Sequence, residues 1–449
     1  MRSRRRRITI TLGLAAALVL PAAPVTALPG AGDLTAGTGT GTGVDIGIGL
    51  GGKRFLDLSV TLGGHKRVVL DLVREYLSAR DAGWKDPQNT AAALVAIERQ
   101  GAEVAAQPAA FATGPATLAA GAAEDNGLHA TEVATGFAGD AKVKFSGRTA
   151  TVTINSGTAL TWNDTSLGQS SLGDTYVVTL KREKRTWTIT DVAYAPIGST
   201  SAPVSETADN ATISRGDVPA AADGVSALAE HTYDRDAARA YALKWSRTMY
   251  FDGMEWVYDD VRNPDYEDLG STNCANFVSQ ALDAGGWPQT GGFDTSNPLN
   301  WDVNLTGPDQ FWGQTKSWIY ADWLRGFAVL SGRGENKAIW PPEDGDPNGP
   351  AQDVWELEPG DLLFADWHED EQPDGTIDHA MIITGTYTSM GFTEPTYSQN
   401  SPNRHNLPLS IGMKMATSED PTPEDDSGLS GAGLNADFYP VRLYDTFND

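Results

Sequence analysis

The chain has 449 residues, with 33 basic and 59 acidic side chains and a formal net charge of −26. Such an acidic surface repels phosphate backbones and argues against nucleic acid as a partner. Cys274 is the only cysteine, so no intrachain disulfide can form.

The first residues carry Arg2 and Arg4 to Arg7, then an apolar run from Ile8 to Leu20 and a small-residue stretch ending Val25-Thr26-Ala27. That order predicts a secretory signal peptide over residues 1–27. The apolar run falls short of the roughly 20 residues a comfortable transmembrane helix needs. The general secretory and twin-arginine routes both stay open. Cleavage would remove five arginines and no acids, taking the net charge to −31. The expected product is a secreted or extracellular protein, with the cell wall as one destination and no stable membrane insertion.

Residues 28–55, with Thr-Gly repeats, read as a linker. Val69, Leu72, Val73, Tyr76 and Leu77 share helical spacing and predict a helix over 66–80. The Ala-rich stretch 91–123 suggests further helix. Strands are predicted at 142–145, 149–154, 176–180 and 186–194, the last two forming a hairpin around the charged turn 181–185. Residues 56–195 therefore read as a small α+β accessory domain. Its layout is similar to cystatin- or nuclear-transport-factor-2-like modules. His65 and His129 read as surface or loop histidines. Residues 196–229 read as a second linker.

Composition changes after residue 230, where ten of the thirteen tryptophans lie. Trp287, Trp301 and Trp312 sit in Gly/Pro/Asn-rich sequence and are candidate cleft aromatics. Ala237, Ala238, Tyr241, Ala242, Trp245 and Met249 form one helical apolar stripe. From Cys274, Phe277, Val278, Ala281 and Leu282 repeat at helical spacing before Gly285-Gly286, with Asn273 as the N-cap. Cys274 would occupy the first turn, where the helix dipole and free amides lower a thiol pKa and can bind an oxyanion.

Leu362–Trp367 reads as a strand, His368–Gly375 as an acidic turn, Ile377–Gly385 as a second strand and Pro395–Asn400 as a third. A helix carrying Cys274, then a meander carrying His379 and a polar amide, is the papain-like Cys-His-Asn order. Asn400 is the favoured third residue and Gln399 the second choice, because alternation points neighbours to opposite faces. His368 reads as solvated, and His405 as a loop residue. Asp344, Asp346, Asn348 and Gly349 mimic the start of a calcium loop, but Trp355 stands where its closing acid should fall. No zinc-ligand spacing occurs.

Cys-Ala-Asn-Phe-Val-Ser-Gln-Ala-Leu-Asp-Ala-Gly-Gly from Cys274 resembles the signature of the putative amidase domain family, among the NlpC/P60-like cysteine peptidases and amidases. Tyr233–Trp245, Asn263–Tyr266, Gly360–Leu363, His379–Ile382 and Tyr397–Gln399 resemble its other segments, so the resemblance covers about residues 231–412. It implies Cys274 as nucleophile and His379 as general base, then acid. The family usually has Asp where this chain has Asn273, and often His where it has Asn400.

The expected fold is α+β: a papain-like or NlpC/P60-like domain over 230–449, its Cys helix packed on antiparallel sheet, behind the smaller accessory domain. The expected function is cysteine-dependent amide hydrolysis without metal or organic cofactor. The resemblance and the export signal imply a peptidoglycan stem peptide or another extracellular peptide as substrate, and a monomer is expected. The alternative is a catalytically silent wall-binding or interaction protein that keeps the fold.

Overall fold

A computed structural model describes residues 62–138, 141–194, 229–260, 262–292, 294–303, 313–340, 350–367, 376–389, 391–417 and 436–448. The expected signal peptide, the linker 28–55, residues 196–228 of the second linker, the calcium-like segment 344–349, Trp312 and His368 lie outside these residues.

The N-terminal half begins with α1 (Leu62–Asp81), α2 (Pro87–Arg99), the short β1 (Ala102–Val104) and α3 (Ala106–Asn126). Its strands are β2 (Ala130–Phe137), β3 (Lys142–Ser146), β4 (Thr149–Trp162), β5 (Gln169–Glu183) and β6 (Thr186–Tyr194). The expected α1 stripe is the buried one: Val69, Val73, Tyr76 and Leu77 are almost wholly covered. The Ala-rich stretch is helical as expected, divided between α2 and α3. Gly101, at φ +86, turns the chain after α2 into a conformation that L side chains rarely adopt. The three residues of β1 then pair in parallel with β6.

The C-terminal half runs β7 (Glu230–Thr232), α4 (Arg235–Trp245), β8 (Met249–Phe251), β9 (Trp256–Tyr258), α5 (Cys274–Ala284), α6 (Lys316–Ile319) and α7 (Ala321–Leu330). There follow β10 (Gly334–Asn336), β11 (Leu362–Trp367), β12 (His379–Ser389), β13 (Phe392–Gln399), β14 (Asn403–Pro408), α8 (Leu409–Thr417), β15 (Ala436–Leu443) and β16 (Thr446–Asn448). Asp234 caps α4 by accepting from Ala237 N at 2.9 Å. The α4 stripe stops at Trp245; Met249 belongs to β8 and is buried there instead.

The class is α+β. Among the described residues, twelve strands form one mixed sheet whose main path is β1-β6-β5-β14-β13-β12-β11-β15-β10. The long β5 joins the halves. One edge of it pairs with β4 along most of its length. Its other edge pairs with β14 through residues 171–173 and with β6 from Tyr176 onward. The two expected domains therefore share a sheet.

They also share a core. On β11 and β12, Leu362, Phe364, Ala380 and Ile382 pack with α4, α5 and α7, while Leu363, Ala365, Met381 and Ile383 face the other way. That second face packs with Leu128, Leu160, Trp162 and Leu172 of the N-terminal half. Each buried Leu, Ile, Phe or Met among them contributes about 1.5–3 kcal/mol, and each Ala less than about 1.

A further seam lies over a floor of glycines. A Cβ at Gly136, Gly157 or Gly173 would press on Met249, on Thr248 and Tyr258, or on Thr248 respectively. Side-chain-free positions on β2, β4 and β5 thus let the β8–β9 hairpin lie directly on the accessory sheet.

Candidate active site

Cys274 opens α5, whose inner face is Phe277, Val278, Ala281 and Leu282, all at most 1 % exposed. The helix is held from behind by tryptophans. Trp301 Nε1 donates to Ser279 Oγ at 3.1 Å and Trp318 Nε1 to Asn276 Oδ1 at 2.8 Å. Trp301 and Trp318 lie 4.5 Å apart between ring centroids. Trp287 and Trp301, expected in a cleft, are core residues (2 % and 0 % exposed). Their Gly/Pro/Asn-rich surroundings conceal a buried aromatic cluster with Phe327 and Phe447.

The Cys274 thiol meets the first residues of β12. Its Sγ lies 3.8 Å from the Asp378 carbonyl, and the N–H groups of Ala380, Ala275 and Cys274 itself bear on the sulfur. Since Asp378 and Ala380 flank His379, the thiol sits against the backbone on both sides of that histidine. The short reach follows from topology: α5 packs on β12, and β12 begins at His379.

His379 is buried, and its ring hydrogen-bonds to the Gln399 side chain. Gln399 Nε2 donates to the Pro402 carbonyl at 3.0 Å, which turns the amide oxygen toward the ring as an acceptor. The expected partner, Asn400, does something else. Its Oδ1 accepts from Asn273 Nδ2 at 3.1 Å. Asn273 in turn makes no side-chain cap; its Oδ1 accepts from Asn276 Nδ2 at 2.8 Å and from Leu269 N at 3.3 Å. Asn273 and Asn400 therefore tie the start of α5 to the end of β13, and Gln399 holds the ring.

Burial dominates the electrostatics. It pushes the Cys274 thiol up, and the neighbouring N–H groups offset only part of this. The expected lowering at the helix start is thus outweighed by desolvation. Burial also lowers His379 to about 4, with the Gln399 bond opposing and the Arg404 charge adding to the shift. Both shifts favour the uncharged forms, thiol and imidazole.

Arg404 belongs to β14, opposite Gln399 in the ladder. Its guanidinium donates to Asp174 of β5 at 2.9 Å and to the carbonyls of Asn403 and Gly173 at 2.9 and 3.3 Å. Nothing in the local sequence signals this pair. His405, expected in a loop, lies on the same strand, its Nδ1 2.9 Å from Ser246 Oγ; burial and then Arg247 lower it to about 3. His65 contacts Arg182 at 3.1 Å and His129 the Gly127 carbonyl at 3.3 Å, both far from Cys274 in the fold. Among the described residues no cluster of His, Cys, Asp and Glu is placed to hold a metal ion.

Residues 232–420 match the family model described as putative amidase domain. The amidase domain so delimited contains Cys274, His379, Gln399, Asn400 and Arg404, and an amidase-type hydrolase is the activity class to which it points. Asp174 lies outside it. No curated protein and no solved structure matches the chain.

Proposed function

We propose that the amidase domain is a cysteine-dependent amide hydrolase with a papain-like arrangement of its reacting groups. Cys274 is the nucleophile, His379 the general base and then acid, and Gln399 the residue that fixes the ring. The observation that carries this reading is the Cys274 sulfur at a helix start, lodged against the backbone on either side of His379.

The preference for uncharged forms shapes the mechanism. Burial raises the thiol and lowers the imidazole, so moving the proton from Cys274 to His379 is uphill before substrate arrives. A standing ion pair is therefore disfavoured, and His379 takes the proton as sulfur attacks the carbonyl. The N–H groups of Cys274 and Ala275 at the helix start suit the developing oxyanion. The tetrahedral species collapses to a thioester as His379 gives its proton to the leaving amine. Water, deprotonated by the same imidazole, attacks the thioester; the C–S bond breaks, the acid leaves and His379 returns the proton to the Cys274 sulfur.

A secreted enzyme of this type would act on peptidoglycan stem peptides or other extracellular peptides. The family likeness and the signal-like residues 1–27 support that substrate class. The test is a digest of purified peptidoglycan with wild type and Cys274→Ala, read by mass spectrometry. New amine termini made only by wild type are expected. Identical products from both proteins would defeat the mechanism, and no products from either would favour a silent wall-binding protein.

A further inference from the structure

The accessory half reaches the reacting histidine through a chain of buried contacts. The Arg404 and Asp174 side chains are 7 % and 8 % exposed, and they meet at 2.9 Å across the β14–β5 pairing. Asp174 Oδ2 also accepts from Tyr176 OH at 3.3 Å, so both carboxylate oxygens are engaged. Arg404 lies opposite Gln399, and Gln399 holds the His379 ring. The link from β5 to the imidazole is thus Asp174, Arg404, the β14–β13 ladder and Gln399. A carboxylate on one side and two carbonyls on the others leave the guanidinium one orientation.

We propose that Asp174, outside the amidase domain, is a positioning residue for His379 and acts through Arg404 and Gln399. This rests on the reading of Cys274 and His379 as the reacting pair. Asp174 clamps Arg404, Arg404 clamps β14 to β5, and β14, paired with β13 at Gln399, keeps the Gln399 oxygen on one ring nitrogen. The imidazole is thereby held in a single tautomer. Asp174 also neutralises a buried cation that would otherwise act unopposed on the ring. The accessory half is then part of the catalytic apparatus rather than an attachment to it.

The test is the tautomer state of His379 at pH 7 in the full chain labelled with nitrogen-15. It is read by long-range proton–nitrogen correlation and identified by the signal lost in His379→Ala. One dominant tautomer is expected in wild type, and a mixture in both Asp174→Asn and Gln399→Ala. Iodoacetamide should label Cys274 about tenfold more slowly in the same two variants, the scale of a small misplacement of a reacting group.

Asp174→Asn leaves a buried guanidinium uncompensated, so Asp174→Asn/Arg404→Gln serves where the single variant does not fold. The neutral pair should fold and show the same mixture. A folded variant that keeps the wild-type tautomer overturns the proposal. Failure of the neutral double variant to fold also overturns it, since the pair would then be a requirement of folding and not of the ring. The underlying reading is tested separately by labelling in His379→Ala. Unchanged labelling there, with a tautomer that responds to Asp174, sinks the reading and spares the link. Slowed labelling with an indifferent tautomer does the reverse.

Discussion

Gly173→Ala should destabilise the protein through a single contact. A Cβ at this position would stand 2.4 Å from Thr248 Oγ1, 2.9 Å from Cγ2 and 3.1 Å from Cβ. Thr248 cannot swing aside. It is 1 % exposed, its Oγ1 accepts from Asn403 at 3.1 Å, and its N–H donates to Ser171 Oγ at 3.3 Å. Overpacking of a core usually costs about 1–3 kcal/mol, and a pinned neighbour places this case at about 2–3. Thr248→Ala removes the two nearest atoms and leaves only a tolerable 3.1 Å approach. By itself it should cost about 1–2 kcal/mol, mainly for the lost hydrogen bond and methyl. The double variant should then be no less stable than Thr248→Ala alone, a coupling of about 2–3 kcal/mol where independent sites agree within about 0.5. Guanidinium unfolding followed by tryptophan fluorescence, run on all four proteins, measures it. Additive effects would refute the claim that the β8–β9 hairpin is seated on a glycine floor.

Three other outcomes are expected. Because burial raises the Cys274 thiol, alkylation in His379→Ala should climb about tenfold per pH unit from 6 to 9, whereas wild type, with the imidazole as base, should fall much less steeply toward pH 6. Identical profiles would show that His379 does not assist the thiol. His379 is lowered to about 4 against an ordinary value of 6.5. Between those values the unfolded chain binds the proton and the folded one does not, so stability is lost as pH falls from about 6.5 toward 4. The loss is about 3 kcal/mol, and urea midpoints for His379→Gln should show a visibly flatter acid limb. Asn273→Asp replaces the donor that Asn400 Oδ1 accepts with a carboxylate, and should cost about 1–3 kcal/mol. Adding Asn400→His, which offers a donor to that carboxylate, should recover most of it; a double variant no better than the single would show that the two positions are uncoupled.

The parts of the site built by local pattern were legible in the sequence. Phe277, Val278, Ala281 and Leu282 announce a buried helix, and Leu362–Trp367 is a strand from end to end as read. What pattern could not reveal depends on partners far along the chain. His405 reads as a loop residue, yet Asn403 to Pro408 form a strand because β5 and β13 supply its hydrogen bonds and Asp174 neutralises Arg404. The N-terminal part of β5 was missed for a related reason. Gly173 brings no side chain to the alternating pattern, yet its bare backbone is what makes room for Thr248. Alternation along a strand says that Gln399 and Asn400 face opposite ways, but not which faces the histidine. The two departures from the family pattern, Asn273 and Asn400, proved to touch each other.

The pairing of β5 with β14 bears on how such a protein can be divided or recombined. Cutting between the halves would turn an interior strand of the sheet into an edge, with the N–H and C=O groups of Asn403 to His405 open to any passing strand. It would also strip the Arg404 guanidinium of the Asp174 carboxylate and the Gly173 carbonyl that hold it. The boundary of the family match is thus not a boundary of folding, and an isolated 230–449 fragment should self-associate rather than behave as a small soluble enzyme.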